Sequence, residues 1–317
     1  MTEFAIETMG LSKSYGRIKA VNNFDLKVVK GTIHGFLGPN GSGKTTTIKL
    51  ILGLLKPDAG SIRVFGYEGG GKKTNVRKKI GYMPELPKLP SFLKGRELLE
   101  IYGEIYGLPK KVRSDSAKNL LKLVGLNDRA EDRIAHYSKG MQQRLGMAQA
   151  LVGDPELVIL DEPSLGLDPI GMVEIRDIIK KISSEGRTVF LSSHLLHDVQ
   201  QTCTHVSVIK MGTKMIEGSI PKLLEKLTDS SKITVELETV SEGIKQALEG
   251  LDFVEDTKWE GNKAEIICSR SGDFRAEVSR AISDAGGLII GMRRSERNLE
   301  ELFLELIKGG ERSQIGE

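Results

Sequence analysis

Two cysteines in 317 residues, Cys203 and Cys268, are too few for a disulfide framework; they are the thiol content of a chain kept in a reducing compartment. No uninterrupted apolar run approaches the roughly 18 residues that a membrane-spanning helix requires, so no segment is expected to cross a bilayer. The opening Met1-Thr2-Glu3-Phe4-Ala5 has neither a basic stretch nor an apolar one, and no signal peptide is expected. No internal repeat is visible. Nor is there an aromatic segment of the K/R-G-F/Y-G/A-F-V-x-F/Y kind with which RNA-recognition sheets stack bases.

What is present is the composition of a soluble globular protein, 39% hydrophobic and 28% charged. The net charge of +3 is unevenly spread. Residues 229–317 hold 19 acids and 12 bases, a balance of −7, which leaves 24 acids and 34 bases, or +10, for residues 1–228. The first part favours polyanionic ligands or an anionic membrane surface, whereas the second repels nucleic acid. Two modules are expected, 1–228 and 229–317.

Strands are expected over 4–11, 20–29, 33–37 and 61–65, with a helix from Gly43 to about Leu54, ahead of Pro57. The apolar runs 157–160 and 188–192 suit fully buried parallel strands. Strands separated by helices imply an α/β fold with a parallel sheet. Between Pro84 and about residue 144 the pattern is helical, with Leu98, Leu99, Tyr102 and Tyr106 on one face, most simply a core-facing stripe. After a linker at 228–232, the order strand, helix (241–251), strand (254–260), strand (264–268), helix (274–285), strand (288–293) is that of a small α+β ferredoxin-like domain. A closing helix is expected from an Asn298 cap with Glu301 three residues on, burying Leu299, Leu302, Phe303 and Leu306.

Gly38-Pro39-Asn40-Gly41-Ser42-Gly43-Lys44-Thr45 matches G-x-x-x-x-G-K-[ST] in full, between a buried strand and a helix start. Glycines let backbone N–H groups turn inward around a phosphate, and the helix N-terminus adds its positive end. Lys44 is expected to reach the β- and γ-phosphates and the Thr45 hydroxyl to ligate Mg²⁺. A second metal carboxylate is supplied by Leu157-Val158-Ile159-Leu160-Asp161-Glu162, where Asp161 suits the metal and Glu162 the attacking water. The one Asn-Lys pair, Asn262-Lys263, is followed by Ala264-Glu265 rather than the N-K-x-D of guanine readers, which excludes a GTPase. His194, His197, Cys203 and His205 have metal-binding side chains, but their spacing matches no standard zinc pattern.

Tyr137-Ser138-Lys139-Gly140-Met141-Gln142-Gln143-Arg144, shortly before Asp161, resembles the L-S-G-G-Q signature of the ATP-binding cassette (ABC) family. The resemblance covers about residues 4–225. Tyr15 matches the aromatic that stacks on adenine, Gly166-Leu167-Asp168 the loop after the catalytic carboxylate, and His194 the switch histidine. It implies a P-loop core with an antiparallel β subdomain and a helical subdomain (about 84–144), binding ATP and Mg²⁺ through the glycine loop and Thr46. It also implies a head-to-tail dimer in which Ser138, Lys139 and Gly140 of one subunit face the γ-phosphate held by Lys44 of the other. Two elements depart from the family. Glu85 stands where most members have a metal-contacting glutamine, and in the signature Lys139 replaces the first glycine of the pair and Met141 the glutamine. Lys139 is expected to offset the acid that Glu85 adds.

The single nucleotide module, the segment Tyr82-Met83-Pro84-Glu85 and the C-terminal α+β module are similar to export-type ATP-binding subunits. Such subunits work with a separate membrane permease and lie peripherally on the cytoplasmic face of the membrane, commonly as homodimers. The competing expectation is a non-transport ABC ATPase acting on nucleic acid or ribosomes, which the −7 balance of the second module opposes.

Overall fold

A computed structural model describes residues 3–69, 74–223, 231–269 and 272–296. The chain divides into two compact units, Met1–Ile220 and Pro221–Glu317. In the first unit a six-stranded sheet runs in the order β10 (Thr213–Ser219), β9 (His205–Lys210), β3 (Ile33–Leu37), β8 (Thr188–Ser193), β7 (Leu157–Leu160), β6 (Ile80–Met83). All neighbours are parallel except β10 on β9. Every residue of β3, β7 and β8 is buried, the signature of strands covered on both faces. A second, antiparallel sheet, β2 (Ile18–Val29), β1 (Phe4–Tyr15), β4 (Ala59–Val64), β5 (Tyr67–Glu68), lies in the same unit. Phe24 of β2 meets Phe36 of β3 edge-on at 5.6 Å, and Phe36 lies 5.4 Å from Phe190 of β8, so one aromatic seam joins the two sheets.

Helix α1 (Lys44–Ile51) follows β3, and α2 (Thr74–Arg77) precedes β6. It is shorter than the expected 43–54: Gly43 is its N-cap and Leu52 its C-cap, followed by Gly53 at φ 69°. The first two strands, by contrast, run four residues past Leu11 and two before Ala20. Bulges interrupt their pairing, and these blur the alternation a sequence reader looks for. The helical segment consists of α3 (Gly95–Ile105), α4 (Lys110–Leu123) and α5 (Lys139–Leu151). Leu98 and Leu99 of the expected stripe are core residues, Tyr102 is half-buried, and Tyr106 is 41% exposed, lying across Gly153. Helices α6 (Pro169–Ser184) and α7 (Leu196–Thr202) flank β8.

The second unit has β11 (Ser231–Leu237), α8 (Glu242–Glu249), β12 (Val254–Glu260), β13 (Lys263–Cys268), α9 (Arg275–Asp284) and β14 (Ile289–Glu296), with antiparallel sheet order β12-β13-β11-β14. That order is the ferredoxin-like one. Ile233, Val235 and Leu237 alternate inward against Ile244 and Leu248 of α8 and Val278 and Ile282 of α9. Ser231 and Lys232, expected in a linker, are the first residues of β11, because backbone pairing to β14 and β13 begins there. The closing helix expected from Asn298 lies outside the described residues, as do residues 224–230.

One core group has a consequence for acid stability. His34 of β3 is 1% exposed; its Nε2 shares a 2.8 Å hydrogen bond with Ser207, and its ring stacks on His205 at 6.2 Å. Burial, with a smaller contribution from His205, lowers its pKa from 6.5 to about 3. The unfolded chain therefore takes up a proton near pH 6.5 that the folded chain refuses until about pH 3. The neutral-ring stabilisation is complete above pH 6.5 and is lost as the pH falls, by about 1.4 kcal/mol per unit and ~2 kcal/mol by pH 5. Chemical denaturation between pH 7 and 5 should show this slope and should lose that component in His34→Gln. An unchanged slope in the variant would assign acid sensitivity to other groups.

Candidate active site

The candidate residues gather at the C-terminal ends of four adjacent parallel strands, where open α/β sheets bind ligands. Strand β3 ends in the glycine loop, β8 in Ser193 and His194, β7 in Asp161 and Glu162, and β6 in Met83, two residues before Glu85. Register aligns these ends: Leu37 pairs with Ser193, Leu160 with Leu191, and Met83 with Leu160. The Asp161 N–H donates to the Met83 carbonyl at 2.9 Å, tying the acidic strand end to the Glu85 segment.

The loop has room for backbone and little else. A Cβ on Gly38 would stand 2.3 Å from the Ile209 carbonyl oxygen. Gly43 has φ 109°, and a Cβ there would meet the Ala20 carbonyl oxygen at 2.2 Å. Lys44 runs back along the loop, donating to the carbonyls of Gly38 at 2.6 Å and Pro39 at 3.2 Å, with its ammonium 3.2 Å from Glu162 Oε1. The resulting cleft, about 370 Å³, is lined by Asn40, Gly41, Gly43, Lys44, Thr45, Thr46, Glu85 and Glu162. Ser42 is buried within the loop.

Two acids are set by one hydroxyl that the sequence alone did not single out. Ser192 Oγ donates to Asp161 Oδ1 at 2.6 Å and accepts the Glu162 N–H at 2.8 Å. Thr45 Oγ1 faces the same Asp161 oxygen at 3.5 Å. Burial raises the Asp161 pKa, and hydrogen bonds from Ser192 and Thr45 oppose the shift. A 1%-exposed carboxylate beside a threonine hydroxyl has the donor set of a hard divalent cation. These residues fit Mg²⁺. Glu162 sits in left-handed backbone at φ 49°, and its Oε2 is 2.8 Å from His194 Nδ1. His194 thus stands beside the acid expected to act on the attacking water. His197 instead lies 2.9 Å from Gln201, Cys203 is buried beneath Gly35, and His205 belongs to β9.

Not every expected residue lines this cleft. Tyr15 ends β1, 50% exposed, and the lining reaches Ala20 of β2 instead. Ser138, Lys139 and Gly140 also stand outside the cleft of their own chain. Ser138 is the N-cap of α5, its Oγ accepting the Met141 N–H at 3.3 Å. The Lys139 ammonium lies over Gly166, in the loop that follows Glu162. Asp168 closes that loop by capping α6 through the Gly171 N–H. Gln143 of α5 donates to the Glu85 carbonyl at 3.2 Å, joining the signature helix to the edge of the cleft.

A glycine loop, a buried metal-type carboxylate and a glutamate–histidine pair form the geometry of a nucleotide hydrolase, and comparison with known proteins agrees. The family described as "ABC transporter" matches residues 21–165. The bacitracin transport ATP-binding protein BcrA of Bacillus licheniformis is 36% identical over 316 residues, 96% of this chain and 98% of that protein. The daunorubicin resistance ATP-binding protein DrrA3 of Streptomyces coeruleorubidus is 34% identical, covering 96% of each. A dimeric ATP-binding cassette solved in a post-hydrolysis state with ADP and Pi superposes with a TM-score of 0.62 at 25% identity, over 68% of this chain and 98% of that one. The chain therefore belongs to the ABC transporter family, as one of its ATP-binding, ATP-hydrolysing subunits.

Proposed function

We propose that this subunit powers export through a separate membrane permease, working as a homodimer that encloses two ATP molecules. The observation that carries this reading is the end-to-end likeness to BcrA and DrrA3, which extends through both units rather than the nucleotide module alone. Each ATP lies on the glycine loop, with Lys44 and the N-terminus of α1 facing its phosphates and Tyr15 its base. Thr45, Asp161 and Glu85 would hold Mg²⁺, which would supply charge neutralisation on the triphosphate. Glu162 accepts a proton from the attacking water, and His194 orients that carboxylate through Nδ1. Ser138, Lys139 and Gly140 at the start of α5 complete the site from the second copy, consistent with their position outside the cleft of their own chain.

No helix among the described residues is long and apolar enough to cross a membrane, so a translocation path on another polypeptide is consistent with the structure. Exposed apolar side chains in α3 and the non-helical chain on either side of it, Leu86, Phe92, Ile101, Ile105 and Tyr106, suit a cytoplasmic helix of that permease. Attachment to the cytoplasmic face of the membrane then depends on the permease. Membranes of cells lacking the permease that copurifies with this protein should release it into the cytosolic fraction. Retention on those membranes, or sedimentation with ribosomes, counts against the assignment.

A further inference from the structure

Beneath the loop that follows Glu162 lies a cavity of about 100 Å³. Its ionisable walls are Glu162, Arg176, His194 and Asp198, joined by hydroxyl groups such as those of Ser164 and Thr202, and much of the remaining lining is apolar. A cavity of this size holds about three waters, and an apolar surround strengthens the hydrogen bonds made inside it. Asp198, in the first turn of α7, is 7% exposed. Its Oδ2 is buried with no hydrogen-bond partner among the described residues. The Arg176 guanidinium stands 3.9 Å from Oδ1, beyond direct hydrogen-bond reach, and its other arm donates to Gln201. Burial raises the Asp198 pKa against the opposing influence of Arg176, of His197, of a side-chain hydrogen bond from Ser164 and of His194, so Oδ2 is the oxygen left without a protein donor. A buried carboxylate oxygen with no protein donor is stabilised by bound water when it faces a space large enough to hold it.

Besides α6, the walls of this cavity include the two segments whose alignment matters most for hydrolysis. Asp198 and His194 belong to one continuous piece of chain, because α7 begins two residues after His194. Ser164 lies two residues beyond Glu162, in the other segment that lines the cavity. Glu162 occupies left-handed backbone at φ 49°, a conformation that persists only where its surroundings over-determine it. The ties already seen are Ser192 on its N–H and Lys44 and His194 on its carboxylate.

We propose that Asp198 is a positioning residue for ATP hydrolysis: through ordered water in this cavity it holds the Glu162–Ser164 segment against the segment carrying His194, keeping the Glu162–His194 hydrogen bond aligned. Asp198 touches neither nucleotide nor attacking water. This role rests on the reading of Glu162 as the base.

The test uses the full chain, with ATP turnover, ATP titration and thermal melting measured side by side. Asp198→Ala lowers kcat by about tenfold while KM for ATP stays within about twofold, the signature of a misaligned base rather than lost binding. Asp198→Asn, which keeps the shape and still bonds water, recovers most of that loss. Thr202→Ile fills the cavity without touching the carboxylate and lowers kcat in the same way, so the test survives if Asp198→Ala does not fold. Loss of ATP binding or of melting temperature in step with kcat, or an asparagine variant no better than alanine, overturns the proposal. Glu162→Gln separates the two readings. If it hydrolyses like wild type, the base assignment falls and the Asp198 role with it. If it is inactive while Asp198→Ala and Thr202→Ile turn over normally, only the Asp198 role is overturned.

Discussion

Glu162→Gln is expected to lower ATP turnover at least about a hundredfold while ATP binding is retained, the range for removal of a general base. The amide keeps the shape of the side chain and still accepts a hydrogen bond from His194, yet it takes no proton from water. Lys44 loses the charge of its Glu162 partner but keeps its hydrogen bonds to the loop carbonyls, and Asp161 remains under Ser192. Removing one negative charge from a cleft that already contains Glu85 also leaves nucleotide affinity equal or higher. Turnover with purified protein and an equilibrium nucleotide titration check both halves. Hydrolysis within a few-fold of wild type would assign the base elsewhere.

Gly43→Ala should abolish tight nucleotide binding with the rest of the fold in place. The added methyl meets two obstacles at once. It would lie 2.2 Å from the Ala20 carbonyl oxygen, and the residue would have to hold φ 109°, which L side chains rarely adopt. Strained backbone of this kind costs about 1–3 kcal/mol. The remaining relief has to come from moving the loop away from β2, which turns the N–H groups away from the phosphates. A loss of at least about tenfold in ATP affinity is expected, equivalent to ~1.4 kcal/mol of binding free energy. The change sits at the N-cap of α1, so a modest fall in melting temperature accompanies it. Binding indistinguishable from wild type would show that the loop accommodates the methyl without changing shape.

Much of the site was legible before any coordinates because its chemistry is local in sequence. Residues 38–45 declare a phosphate loop through glycine spacing, and four apolar residues followed by Asp161 and Glu162 declare a strand end that holds charge. The secondary elements of the second unit were equally plain, since the alternation of Ile233, Val235 and Leu237 and the helical spacing of Val278 and Ile282 report which face is buried. Local pattern failed where geometry bends it. Bulges hid the full length of β1 and β2, and pairing to β13 and β14 drew Ser231 and Lys232 out of an apparent linker.

The sequence by itself determined the reaction type, the phosphate loop, the acidic pair and the order of the elements. Only the tertiary structure decided which side chains stand between them. Because β8 lies between β3 and β7 in the sheet, Ser192 falls between the glycine loop and the acids, and one hydroxyl orients both Asp161 and Glu162. Nothing in residues 188–193 distinguishes Ser192 from Ser193 before that strand order is known. The same holds for the Ile209 and Ala20 carbonyls that make Gly38 and Gly43 obligatory, and for Asp198 facing a cavity shared with Glu162. These relations join residues far apart in the chain. They are set by sheet order and packing, which the local periods of 2 and 3.6 residues do not encode.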